Sequence, residues 1–344
     1  MDWNHASDRI VAGDVVDGAT GVVRWEASKS LWIGAMTLTA LIAGPLLVTP
    51  GALLLFVMTT VVTLCAGHSV GMHRRLIHNS FECPRWIEYA CVYLGTLVGM
   101  AGPFGLMRQH DLRDWAQRQP LCHDYLRHGR RFWTDAWWQL HCELTLVNGP
   151  GFSPEPRLAG DRLYAWLERT WMLQQAPWAL AFYAIGGWGW VVWGICARVA
   201  VSVTGHWLVG HFAHRHGPMT WEVEGAGVQG RNVPIAGWVS MGESWHNNHH
   251  AYPGSARLGL NTGECDPGWW LIQFLARCGL AWNIKLPENL PIRATLRRID
   301  RRTGPMKDES QEPIIGARAF IKDEIEIPVI QRADERRRAC SRST

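Results

Sequence analysis

Residues 31–73 read LWIGAMTLTALIAGPLLVTPGALLLFVMTTVVTLCAGHSVGMH, and no Lys, Arg, Asp or Glu interrupts them. A second uncharged stretch runs between Arg169 and Arg198, in a chain of 344 residues that is 19% charged overall. A soluble core seldom needs such tracts, whereas a helix crossing a ~30 Å hydrocarbon layer needs about 20 apolar residues. The first block is about twice that length and has to fold back once. Pro50-Gly51, a turn pair between apolar runs, is the expected place, giving spans near 31–48 and 52–72. The second block repeats the design, with 171–185 and 190–212 flanking Gly186-Gly187-Trp188-Gly189. The expectation is an all-α membrane protein: four transmembrane helices in two hairpins under a cytosolic helical cap. Because segments 74–170 and 215–344 carry most of the Arg, they and both termini belong in the cytoplasm of a multi-pass protein, with a bacterial cell membrane as the expected location.

Outward from these blocks, residues 1–30 mix acidic and basic side chains without an apolar run and read as a cytosolic leader. Residues 31–285 read as one membrane and cap domain, and 286–344 as a charged tail. Residues 86–106 are apolar, but Glu88 and a Gly-rich centre favour an in-plane or re-entrant helix under the bundle. Arg198 reads as a charge that snorkels or pairs inside the bundle. The 21 Trp suit membrane interfaces. Nine Cys without a CxxC pair exclude a disulfide scaffold, and a net charge of +4 spread along the chain gives no nucleic-acid surface.

Histidine carries the chemical signal. Apart from His5, all lie between positions 68 and 250, mostly at the cytosolic ends of the expected spans. His246, His249 and His250 stand at i, i+3 and i+4, so one helix face presents all three rings to a common centre. His110 and Asp114 are i, i+4 neighbours, and His211 and His214 are i, i+3. His73 and His78 are five apart, about 140° round a regular α-helix, and can share a site only where that helix frays or bends. Imidazole with a carboxylate leans toward iron or manganese, and the lack of Cys argues against a zinc ribbon or an iron–sulfur centre. Several rings read more simply: His68, His141, His206 and His216 as core residues, His123 and His128 as loop residues, and Asp114 as a partner of Arg118. Bis-histidine haem is disfavoured because it needs rings in the middle of two facing helices.

These residues resemble the membrane fatty-acid desaturases with histidine boxes, a family that includes stearoyl-CoA desaturase, over about residues 30–285. Gly242-Glu-Ser-Trp-His246-Asn-Asn-His249-His250-Ala-Tyr-Pro253 is similar to the family's third box. His73-Arg-Arg-Leu-Ile-His78 resembles the first, with Arg75 in a Leu place, and His214 resembles the further ligand near the end of the fourth span. The second box departs from the pattern: where His-x-x-His-His is expected, the chain has His110-Asp-Leu-Arg113-Asp114. Arg113 cannot ligate a cation, so Asp114 is expected to replace one imidazole, with His123 or His128 supplying part of the rest. Gly210 stands where the family tends to have an Asn that holds a metal-bound water, and His211 beside it is a candidate to compensate.

The resemblance implies two iron ions held by His73, His78, His110, Asp114, His214, His246, His249 and His250, with His123, His128, His211 and Asp266 as possible additions. Glu243 and Asp266 are candidates to orient the ligand rings. It further implies O2 as co-substrate and desaturation of a long acyl chain, carried as acyl-CoA or acyl-lipid and of delta-9 type among others. Electrons would come from an external ferredoxin, rubredoxin or cytochrome b5, and membrane lipid would surround the chain. Two alternatives stay open: a membrane di-iron hydroxylase or ketolase acting on a lipid, carotenoid or alkane, and a non-catalytic membrane protein with a degenerate second box.

Overall fold

In the computed structural model, which describes residues 9–13 and 15–299, helices dominate. Helix α1 (Ala27–Ala43) starts where Glu26 accepts hydrogen bonds from the backbone N–H of Ser28 and Lys29, an acidic N-cap. Helix α2 (Pro50–Val62) starts with Thr49 as N-cap and Pro50 in its first turn. The fold-back therefore precedes Pro50 and does not fall on Pro50-Gly51 as expected: Pro at the first helical position needs no N–H partner and has its φ preset for the helix. The axis then continues as a π-wound tract, Thr63–Ile77.

Together Pro50–Ile77 form one helix long and apolar enough to cross a membrane, and Gln175–Ala213 form another; Ala27–Ala43 is apolar but shorter. The second long helix comprises α7 (Gln175–Val191), a π-wound turn Val192–Ala197, and α8 (Arg198–Ala213). The expected turn near 186–189 is a kink centred on Gly187, at φ 66° and ψ −161°. The positive φ there explains the glycine. The first connection is held against the second long helix, since Trp193 Nε1 on the π-wound turn donates to the Gly44 carbonyl at 3.1 Å. Large apolar side chains on these helices face outward, among them Leu38, Leu41, Leu54, Leu180 and Ile185. So large an unpaired apolar face suits lipid better than water.

Helix α3 (Arg85–Thr96) covers only the first half of the stretch 86–106 and packs on the π-wound tract. Gly67 and Gly71 make that approach possible: a Cβ on Gly67 would come 2.4 Å from Gly95 N, and one on Gly71 2.6 Å from the Cys91 backbone. Glu88 is buried and paired with Arg75 at 2.5 Å and Arg157 at 2.7 Å. Arg198 is also buried; it donates to the Gly194 carbonyl at 2.7 Å, to Gln175 Oε1 at 2.6 Å and to the Leu97 carbonyl, so it pairs within the bundle.

The all-α expectation needs correction in the cap. Among the described residues there are three two-stranded antiparallel ladders: β1 (Ile10–Val11) with β4 (Gly151–Phe152), β2 (Gly21–Trp25) with β3 (Cys142–Leu146), and β5 (Trp221–Val223) with β6 (Leu296–Arg298). They tie residues 10–25 to 142–152 and residues 296–298 to 221–223. Residues 1–8 and 300–344, and with them most of the expected tail, lie outside the described residues.

Candidate metal centre

The π-wound tract resolves the spacing of the first histidine pair. In π-winding the backbone bonds run i→i+5, and the N–H of His78 donates to the carbonyl of His73 at 3.0 Å. Residues five apart thus stack one turn above another, and the two rings meet with centroids 4.7 Å apart. Flanking charges fix the tract. Arg74 pairs with Asp266 at 2.7 Å, Arg75 with Glu88, and Arg9 from the leader donates to the Ile77 carbonyl at 2.6 Å while pairing with Asp111 at 2.7 Å. Buried pairs of this kind are costly to break, because the surviving partner is a charge without solvent.

Helix α4 (Pro103–Arg118) brings in His110. Its N-terminal backbone N–H groups at Phe104 and Gly105 donate to Glu168, on α6 (Arg162–Thr170), at 2.8 and 3.1 Å. The third box forms a short helix, α9 (His246–Ala251), and its two asparagines hold that helix from behind. Asn247 accepts from the backbone N–H of Thr220 and Trp221 and donates to the carbonyls of Trp221 and Gly230, all at 2.8–2.9 Å. Asn248 donates to the Leu258 carbonyl and to Glu264, both at 2.8 Å. The histidine face is left free to point inward.

Two adjoining clusters result. His73, His78, His110 and His249 bring one ligand atom each to within 4.8 Å of one another, and His214, His246 and His250 do the same. The Nε2 atoms of His78 and His110 are 3.3 Å apart, those of His214 and His246 3.1 Å, and those of His246 and His250 3.0 Å. His249 Nδ1 is buried without a hydrogen-bond partner. Burial holds His78, His214, His246, His249 and His250 well below the ordinary imidazole range, which keeps them neutral and able to ligate. At His110 burial acts in the same direction, but the carboxylates of Asp114 and Asp111 outweigh it and its pKa is raised. Imidazole nitrogens converging at such distances fit a transition metal, iron included, in each cluster.

The remaining expected ligands are placed differently. Asp114 is not among the atoms of either cluster; its Oδ2 lies 3.5 Å from Arg118 and 4.0 Å from His110 Nδ1. His123 stacks on Trp138 and accepts from the backbone N–H of Tyr125 at 3.1 Å, away from both clusters. Asp266 caps α10 (Pro267–Arg277) and holds Arg74. Glu243, the other candidate to orient a ligand ring, has its Oε2 2.5 Å from His73 Nδ1. His128 and His211 form a third buried group with Asp135, a residue that sequence reasoning missed. Asp135 lies on α5 (Phe132–His141), and its Oδ2 accepts from His128 Nδ1 at 2.9 Å, His211 Nδ1 at 2.7 Å and Trp207 Nε1 at 2.8 Å. Arg113 points into this group, donating to His128 and, at 2.9 Å, to Gln139.

Residues 25–260 match the family model described as "Fatty acid desaturase". Among curated proteins the chain is similar to an sn-1 stearoyl-lipid 9-desaturase of Synechocystis, 35% identical over 243 residues that cover 69% of this chain and 71% of the relative. An sn-1 stearoyl-lipid 9-desaturase of Anabaena variabilis is 34% identical over 229 residues, 64% of this chain and 79% of the relative. A chloroplastic palmitoyl-monogalactosyldiacylglycerol delta-7 desaturase of Arabidopsis thaliana is 31% identical over 239 residues, 66% of this chain and 60% of the relative.

Proposed function

The chain belongs to the fatty-acid desaturase family, and on that premise we propose that it is an O2-dependent di-iron enzyme that desaturates an acyl chain carried in a membrane lipid, delta-9 type first. The observation that carries this reading is the pair of adjoining imidazole clusters, joined through α9, which gives His249 to one and His246 and His250 to the other. Bound there, two irons would supply the oxidising power for removing hydrogens from adjacent methylene carbons, chemistry that no side chain provides.

The rest falls to this chain. His73, His78, His110 and His249 would hold one iron, with the Glu243 carboxylate, 2.5 Å from His73 Nδ1, helping to fix that ring. His214, His246 and His250 would hold the other, with the Asp114 carboxylate brought to it from beside Arg118. In our reading four spans in two hairpins, 31–48, 52–72, 171–185 and 190–212, set the clusters at the cytoplasmic face of the membrane. The acyl donor is a lipid because the relatives named above are acyl-lipid desaturases. Electrons come from an external carrier, a ferredoxin, rubredoxin or cytochrome b5, docking on the cap. One observation favours hydroxylation as a second reading: the second cluster has three imidazoles where the first has four, so the two have different donor sets.

Mass spectrometry of lipids from a host expressing the chain separates these outcomes. Loss of two hydrogens from an acyl group, abolished by His249→Ala, is expected. Gain of one oxygen selects the hydroxylase, and purified protein that binds no iron with its third box intact removes both.

A further inference from the structure

The second cluster has three imidazoles where the first has four, and the polar atom that faces it comes from a residue outside every histidine motif. Gln117 lies on α4, seven residues beyond His110, and is 1% exposed. Its Nε2 donates to the Leu126 carbonyl at 2.8 Å, which leaves Oε1 facing His214 Nε2 at 3.1 Å. His214 Nδ1 is itself 2.7 Å from the Gly210 carbonyl. A carbonyl only accepts, so Nδ1 carries the ring hydrogen and Nε2 presents a lone pair. Two acceptors thus face each other in a buried site, an arrangement that costs free energy unless something positive lies between them.

Turning the amide over does not help, because Oε1 would then oppose the Leu126 carbonyl. A proton on His214 Nε2 would relieve this single contact, but it would leave the His246 and His250 nitrogens still converging. A cation shared by the three Nε2 atoms and the amide oxygen satisfies them all. The surroundings leave this place to Gln117. Arg113 is drawn away to His128 and Gln139, and a Cβ on Gly210 would come 3.0 Å from His128 Nε2, so no larger side chain reaches in from that position.

We propose that Gln117 Oε1 is a ligand of the second iron, alongside His214, His246 and His250. This rests on the di-iron reading of the site. The test loads full-length protein with isotopically enriched ferrous iron and records iron per chain and Mössbauer spectra. Wild type is expected to hold two irons in two environments. Gln117→Leu, similar in volume and unable to ligate, should bind the second iron roughly 10- to 100-fold more weakly and keep the first. Gln117→Glu should recover the second iron with an altered isomer shift. The proposal is overturned if Gln117→Leu keeps both irons with an unchanged spectrum, or if wild type holds iron only in the four-imidazole cluster. Should Gln117→Leu lose both irons, recovery of both in Gln117→Glu supports the proposal and failure to recover overturns it. A wild type with two irons and no desaturated lipid ends the desaturase reading and leaves the ligand assignment standing.

Discussion

The two imidazole clusters share one short helix yet are supported in different ways. The cluster of His73, His78, His110 and His249 is backed by charge: Glu243 on His73, and the pairs Arg74–Asp266, Arg75–Glu88 and Arg9–Asp111 around the tract and helix that carry it. The cluster of His214, His246 and His250 is backed by neutral groups, the Gly210 carbonyl and the Gln117 amide. The difference originates on α4, whose face at His110 serves the first cluster while positions 113 and 114 stand next to the second. Arg and Asp at those two places therefore leave the first cluster whole. Any replacement donor has to come from the same helix face, and Gln117, at i+4 from Arg113 and i+3 from Asp114, meets that condition.

The sharpest way to break the comparison is Glu243→Gln. Removing the charged acceptor of a ligand imidazole typically costs 10- to 100-fold in metal affinity, and here the loss should fall on the four-imidazole cluster alone. Titration with ferrous iron, read by Mössbauer spectroscopy, checks it; equal weakening of both clusters would dissolve the distinction. Asp114→Ala has the opposite address and a smaller effect, roughly tenfold on the three-imidazole cluster if its carboxylate ligates. If both irons stay as tightly bound as in wild type, Asp114 serves Arg118 only.

A pH series gives the mildest contrast. His78, His214, His246, His249 and His250 have pKa values depressed by burial in the folded chain. Below the ordinary imidazole value of about 6.5 the unfolded chain binds protons that the folded one refuses, so stability present above that pH declines as pH falls. Metal-free protein in detergent should show a melting temperature that drops progressively below about pH 6.5. Iron-loaded protein should resist longer, since bound metal holds the rings deprotonated. A melting temperature independent of pH across that window would contradict the burial of these rings.

Much of this was legible in the amino-acid order. Charge-free blocks located the apolar helices, and the i, i+3, i+4 spacing of His246, His249 and His250 placed three rings on one face. The H-x4-H pair was legible only as a demand for irregular winding, because nothing in a tract such as Gly67-His68-Ser69-Val70-Gly71 distinguishes α- from π-winding; packing against α3 at Gly67 and Gly71 accompanies it in the fold. The ladders that tie residues 10–25 to the cap were missed because strands of two to five residues give no reliable alternation. Asp135 carried no motif, and its role depends on neighbours 7, 72 and 76 positions away. Asp114 showed the reverse limit: spacing put it within reach of both His110 and Arg118, and spacing alone could not rank the two.

The order of residues by itself determined which side chains can bind a metal and which stretches are apolar enough to meet lipid, since both follow from side-chain chemistry and local periodicity. Only the tertiary structure decided how the rings divide into four and three, that Arg113 turns away toward His128, and that a glutamine oxygen faces the smaller set. Those outcomes depend on where helices far apart in the chain come to rest against one another, and a shift of one helical turn in any of them would deal the same rings into different groups.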